Sequence, residues 1–169
     1  YLETTIKWIN SSEIEQYMAK NQNKLNATEL WNYFKNVISW VEKTFVNKRK
    51  KLMQGLPWGD YYNKYKDIGF NPQQLEKKIS SLILDKDVTN QKGIYAFLLS
   101  GNEKYLNIRA FDEEIKQRTY EKQKGACNKC KENFDIKQMD ADHIKLWKDG
   151  GKTEENNCQM LCIPCNRGG

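Results

Sequence analysis

Two Cys-x-x-Cys pairs, Cys127/Cys130 and Cys162/Cys165, stand 31 residues apart and constrain this chain more than any other feature of it. Each pair can turn both sulfurs towards one ion within a tight turn, and two pairs complete the tetrahedral thiolate set that zinc prefers. With all four positions filled by protein, such an ion is structural. It staples two distant segments and stabilises a module too small to bury a large core. Cys158 is left over. On a strand running to Cys162 it shares a face with Met160, which makes it a small buried hydrophobe. Five cysteines, all between Cys127 and Cys165, are too few and too odd in number for a secreted disulfide scaffold. A reducing cytoplasm is the compartment that keeps such thiols free to ligate.

The charge lies elsewhere. The chain carries 28 Lys+Arg against 22 Asp+Glu, a formal +6, yet residues 125–169 hold seven of each sign. Four thiolates around a divalent ion make that segment net negative, so attraction to a polyanion has to come from residues 1–124. No apolar run approaches the roughly 18–20 residues of a membrane span. The chain starts at Tyr1 with no charged and apolar leader pattern, and reads as an excised fragment.

Residues 1–124 read as helices. Asn26 with Glu29 forms a capping-box pattern ahead of Leu30, Phe34, Val37, Ile38, Val41 and Phe45 at helical spacing. Asn71 and Pro72 have the pattern of an N-cap and first helical residue, leading into Leu75, Ile79, Leu82 and Ile83. Ser12 with Glu15 opens a shorter helix, and the apolar run Ile94–Leu99 favours helix from its neighbours. Ile108, Phe111 and Ile115 mark a last helix ending near Gly125, where a domain boundary is expected. Lys48, Arg49, Lys50 and Lys51 form the densest basic run, either a solvated helix end or a phosphate-contacting patch. Trp58, Tyr61, Tyr62 and Tyr65 have the spacing of core aromatics, with base stacking as the alternative.

Between the cysteine pairs lies the only histidine, His143, in the run MDADHI. Asp142 precedes it, Gly150 and Gly151 permit a tight turn after it, Asn157 follows, and Asn166 comes directly after the last zinc cysteine. With these features the segment from about Gly125 to Gly169 resembles the HNH endonuclease family, the zinc-stapled branch of the ββα-metal nucleases. The resemblance implies that Asp142 is a ligand of a catalytic metal and His143 the general base. It makes Asn157 the middle asparagine and Asn166 the third motif residue, an H-N-N pattern. The expected fold is α+β: a mainly helical, basic N-terminal domain over residues 1–124, with a DNA-positioning or linker role, then a small zinc-bound ββα-metal module over residues 125–169.

Chemistry supports those roles. Hydrolysing a phosphodiester needs a base to take a proton from water, and positive charge beside the phosphate and the departing 3′ oxygen. Imidazole suits the first. The carboxylate of Asp142 and the amide oxygen of Asn166 are hard donors, favouring Mg²⁺ or Mn²⁺. Asn157 would hold the loop or the imidazole by hydrogen bonds. On a regular strand, however, Asp142 and His143 point to opposite faces, so a strand end or bulge is expected there, and a regular strand through both would remove this mechanism. Family members usually continue past the CN pair with basic residues, whereas here Arg167, as a phosphate contact, is followed by Gly168 and Gly169. The final helix is therefore expected to be cut short.

The run KGIYAFLLSGNEKYLNIRAF resembles the region ahead of such modules in bacterial defence nucleases whose upstream half is ParB-like. That resemblance implies a role in restriction or phage defence and an upstream ParB-like domain in the same parent chain. The function expected is metal-dependent hydrolysis of DNA, with structural zinc and one catalytic Mg²⁺ or Mn²⁺. A non-cleaving zinc-dependent nucleic-acid-binding module and an RNA-directed nuclease are the alternatives.

Overall fold

The computed structural model describes residues 2–10 and 13–168. Tyr1, Ser11, Ser12 and Gly169 lie outside them, and with them the expected cap at Ser12 and the last of the terminal glycines. The chain forms two compact units. One comprises the residues up to Asp85 together with Asn90–Leu106; the other comprises Lys86–Thr89 and the chain from Asn107 onward. Among the described residues no helix is long and apolar enough to cross a membrane.

The first unit is helical: α1 (Leu2–Ile9), α2 (Ile14–Asn21), α3 (Thr28–Thr44), α4 (Lys50–Met53), α5 (Trp58–Tyr65), α6 (Pro72–Leu84) and α7 (Gly93–Ser100). The apolar stripe of α3 is buried through Leu30, Val37 and Val41, and continues into Phe45 just past its end. Helix α6 starts as its sequence dictates, with the Asn71 side chain accepting from Gln74 N at 2.9 Å and Pro72 opening the first turn. The capping box expected at Asn26 does not form. Asn26 Oδ1 accepts from Thr28 N at 3.1 Å, one residue too early, and Glu29 pairs with Lys24. A lysine two residues before the turn thus outcompetes the backbone for the carboxylate.

Helices α1, α3 and α5 pack together. A Cβ on Gly59 would lie 2.1 Å from Trp8 Cβ, so only glycine allows α5 to approach α1 this closely. Phe45, Trp58 and Tyr95 make a tilted and edge-to-face cluster with centroids 5.2–5.6 Å apart. The indole of Trp58 donates to Met53 O. Trp58 and Tyr65 are buried, which makes them core and removes them as base-stacking surfaces.

The basic run is divided. Arg49 is largely buried and grips Glu76 through both guanidinium nitrogens, and Lys48 pairs with Glu42. That leaves Lys50 and Lys51 exposed on α4.

In the second unit, α8 (Glu113–Lys122) is capped by Asp112, whose side chain accepts from Ile115 N at 2.9 Å. Ile108 and Phe111, expected within this helix, precede it, and Ile108 instead bridges to Val88. An aspartate cap is a stronger start signal than two upstream apolar residues at helical spacing. The chain leaves α8 through Gly125 at φ +74°, as its position after a helix end suggests. Strands β1 (Met139–His143) and β2 (Cys158–Cys162) form a two-stranded antiparallel sheet, followed by α9 (Ile163–Arg167). Helix α8 packs on β2 and so belongs to this unit, whose division from the first falls upstream of Gly125. The architecture is α+β, helical first and ββα last.

The Arg49–Glu76 pair yields a prediction. Hydrogen bonds from Arg49, working against burial and aided by Asn47, hold the Glu76 carboxyl down to about 2 from an ordinary 4.5. A depressed carboxyl contributes stability that is fully present above its unfolded value and is lost as pH falls through the folded one. Unfolding of the helical unit followed from about pH 6 down to about pH 2 should show a loss of roughly 1–3 kcal/mol. Glu76→Gln should remove that pH-dependent component and lower the unfolding midpoint at neutral pH.

Candidate functional site

The site is assembled from the cysteine end. Residues Ala126–Asn133 fold into a small hairpin, with Ala126 bridged to Asn133, Cys127 N bonded to Glu132 O at 2.8 Å, and Lys131 at φ +66°. Cys162 ends β2 and caps α9, with Pro164 in that helix's first turn. The four sulfurs of Cys127, Cys130, Cys162 and Cys165 lie within 4.8 Å of one another, and Cys130 and Cys162 are 3.9 Å apart. A zinc ion with Zn–S of about 2.3 Å spaces its sulfurs about 3.8 Å apart, so the cluster is nearly the right size.

The electrostatics agree. Burial raises the Cys127 thiol, but N–H donors from Cys130, Cys162 and Lys129 outweigh it and bring it down to about 6. Cys165 is pushed up to about 12, by its contact with Cys162 first and then by burial. Four sulfurs this close cannot all ionise without a cation between them, and a divalent ion supplies it. Cys158 lies outside the cluster, is buried beside Met160, and burial raises its thiol. It is a packing residue.

The register pairs Asp142 with Gln159 and His143 with Cys158, and it runs without a bulge from Met139 to His143. His143 is the last strand residue, so the expected strand end is present and the expected bulge is not. Alternation then places Met139, Ala141 and His143 on the face that packs into the core, and Asp140 and Asp142 on the other. The arrangement in which Asp142 and His143 act from one face does not exist in this structure.

On the Asp142 face, Gln159 Nε2 lies 3.4 Å from Asp142 Oδ2, and Asn128 holds Gln159 from behind at 2.6 Å. Asn166 donates to Asp140 Oδ2 at 3.3 Å, and Arg167 reaches the same oxygen at 3.5 Å from an exposed position. Asp140 was not foreseen. Its two-residue spacing from Asp142 on a strand is the signal that marks it as sharing that face. Two carboxylates and an amide on one surface form a hard-oxygen donor set, which fits Mg²⁺ or Mn²⁺ rather than a thiophilic ion.

On the opposite face the His143 ring sits 4.5 Å from Phe111, and its Nε2 is 3.1 Å from Thr153 Oγ1. Neither neighbour carried a sequence signal. Asn157 holds the loop between the strands: its Oδ1 accepts from Lys145 N at 2.8 Å, and its Nδ2 donates to Lys145 O and Lys152 O. Gly150 sits at φ +89°, and a Cβ on Gly151 would lie 1.8 Å from Lys145 O, so the turn needs both glycines.

The sheet has one sealed edge and one open edge. Gln123 covers the outer side of β2, accepting from Met160 N at 2.8 Å and donating to Met160 O at 3.0 Å. Among the described residues, the backbone of Met139–His143 bonds beyond its partner strand at Met139 N, which donates to Ile136 O, and through a 3.4 Å contact of Gln159 with His143 O.

Residues 127–168 match the family model described as HNH endonuclease. The chain carries an HNH domain over about a quarter of its length, and the four-cysteine cluster fits the zinc-binding form of that module. Comparison with curated proteins and with solved structures gives no match.

Metal analysis of the purified chain should find about one zinc per molecule. Cys127→Ser should release that zinc and unfold the second unit while the far-ultraviolet signature of the helices largely persists. Gly151→Ala should lower the melting temperature of the same unit, because Lys145 O has to move aside.

Proposed function

We propose that the second unit is a metal-dependent endonuclease that hydrolyses phosphodiester bonds in DNA. The observation that carries this reading is the HNH match over the segment that holds the sulfur cluster, the strand pair and terminal helix, and with them Asp142, His143 and Asn166. Asp142 and Asn166, with Asp140 beside them, would hold a divalent cation, which supplies positive charge at the scissile phosphate and the departing 3′ oxygen.

The opposite projection of Asp142 and His143 sets how substrate has to lie. Because among the described residues β1 has no second neighbouring strand, a phosphodiester placed across its outer edge at the strand end would be reached by Asp142 from one face and His143 from the other. His143 takes a proton from water as the water oxygen bonds to phosphorus; the bond from phosphorus to the 3′ oxygen breaks, and that oxygen takes a proton from solvent. In the first unit exposed Lys50 and Lys51 on α4, and in the second exposed Arg167, with its 3.5 Å contact to Asp140, are each candidate phosphate contacts. Zinc-ligating free thiols suit a reducing compartment such as the cytoplasm. A role in restriction or phage defence, with a ParB-like domain upstream, rests on the sequence resemblance.

A second reading draws on the same geometry. If no phosphate bridges the two faces, the zinc-stapled unit binds nucleic acid without cutting it.

Incubating supercoiled plasmid with Mg²⁺ or Mn²⁺ separates the two. The native chain should nick it, and His143→Ala should be slower by roughly 10²–10⁴-fold. Asp142→Ala should lose metal-dependent cutting. Equal nicking by native and His143→Ala protein would defeat the base assignment, whereas DNA binding without cutting by either identifies the binding module. A matched single-stranded RNA tests the choice of sugar.

A further inference from the structure

The loop residue Thr153 joins three segments of the second unit. Its backbone N–H donates to Asp87 Oδ2 at 3.1 Å, and its hydroxyl donates to Arg109 O at 3.1 Å. The same Oγ1 lies 3.1 Å from His143 Nε2. Arg109 N in turn donates to Asp87 O at 2.8 Å, so the two upstream segments that hold Thr153 are bonded to each other. Thr153 and Asp87 are 5% and 6% exposed, which shields these bonds from competing water.

The hydrogen count at that hydroxyl is decisive. A threonine hydroxyl has one hydrogen and two lone pairs, and a backbone carbonyl oxygen can only accept. The single hydrogen is therefore committed to Arg109 O, and towards the imidazole Oγ1 can only accept. A neutral imidazole has one N–H, so the proton sits on Nε2 and the lone pair on Nδ1. Among the described residues no hydrogen bond is made to Nδ1. Turning the ring over would present a carbon to Thr153 and leave a buried acceptor without its donor, and Phe111 packs against the ring at 4.5 Å.

We infer that Thr153 is a positioning residue for His143: by spending its hydrogen on the Arg109 carbonyl it fixes the imidazole as the Nε2–H tautomer and presents Nδ1 as the proton acceptor. The catalytic use of that nitrogen rests on the nuclease reading above, whereas the tautomer itself does not. After proton transfer the same oxygen accepts from the imidazolium and holds it in place.

One histidine per chain makes the test direct, because a long-range ¹H–¹⁵N correlation spectrum of the full protein shows a single imidazole. At about pH 8.5, where imidazole is ordinarily neutral, native protein and Thr153→Ser should both show the Nε2–H pattern. Thr153→Val should show a mixture of tautomers. In plasmid nicking, Thr153→Val should lower the turnover rate by roughly 10–100-fold with little change in KM, and Thr153→Ser should restore it. An Nδ1–H tautomer in native protein overturns the inference, as does an unchanged tautomer and turnover in folded Thr153→Val. Should the valine variant fail to fold, the native spectrum and Thr153→Ala decide by the same criteria. An Nε2–H tautomer that becomes mixed on loss of the hydroxyl, in a protein that cuts nothing, supports the positioning role and defeats the nuclease reading alone.

Discussion

The second unit converges on four sulfurs that cannot all ionise without a cation between them. Its buried cluster is small, built around Met139, Met160 and Leu161 with Cys127 and Cys162 among its members. A core of that size does not offset the chain entropy of ordering two loops and a hairpin. A divalent ion held by the cluster would close the 31-residue separation between the knuckles and contribute folding free energy through its ligands. Position follows from the same staple. Asn166 stands directly after Cys165, and β2 ends in Cys162, so the helix that carries the amide and the strand that faces Asp142 are both anchored at a sulfur.

Strand alternation then imposes the main constraint on chemistry. Adjacent residues on a regular strand cannot share a face, and the register through Asp142 and His143 is regular. The two faces differ in kind. Asp140, Asp142 and Asn166 make a hard-oxygen surface beside α9, while His143 is packed against Phe111 and bonded to a buried threonine. Gln123 seals the outer edge of β2, while among the described residues no strand pairs with the outer edge of β1.

Local signals in the sequence succeeded where the interaction was itself local. Asn71 and Pro72 predict the start of α6 because the cap bond spans three residues, and the glycine pair at 150–151 predicts a turn because backbone geometry demands it. Asn157 reads as a loop-holding residue and bonds to the loop at both ends. The failures share one cause, competition from partners that pattern does not reveal. Glu29 goes to Lys24 instead of closing the capping box, and Arg49 is drawn from the basic run into a pair with Glu76 on another helix. Ile108 and Phe111 have helical spacing but serve a bridge and a ring contact.

The sequence by itself determined the four-cysteine set, the helical character of the upstream part and the HNH resemblance of the last quarter. All three are written in spacings of a few residues, which ligand geometry and backbone periodicity translate directly into structure. Only the tertiary structure decided which face each motif residue occupies and what surrounds the histidine. Asp87, Arg109 and Thr153 meet across separations of 22 to 66 residues. Hydrogen bonds of that range leave no periodic trace, because they depend on where whole elements pack.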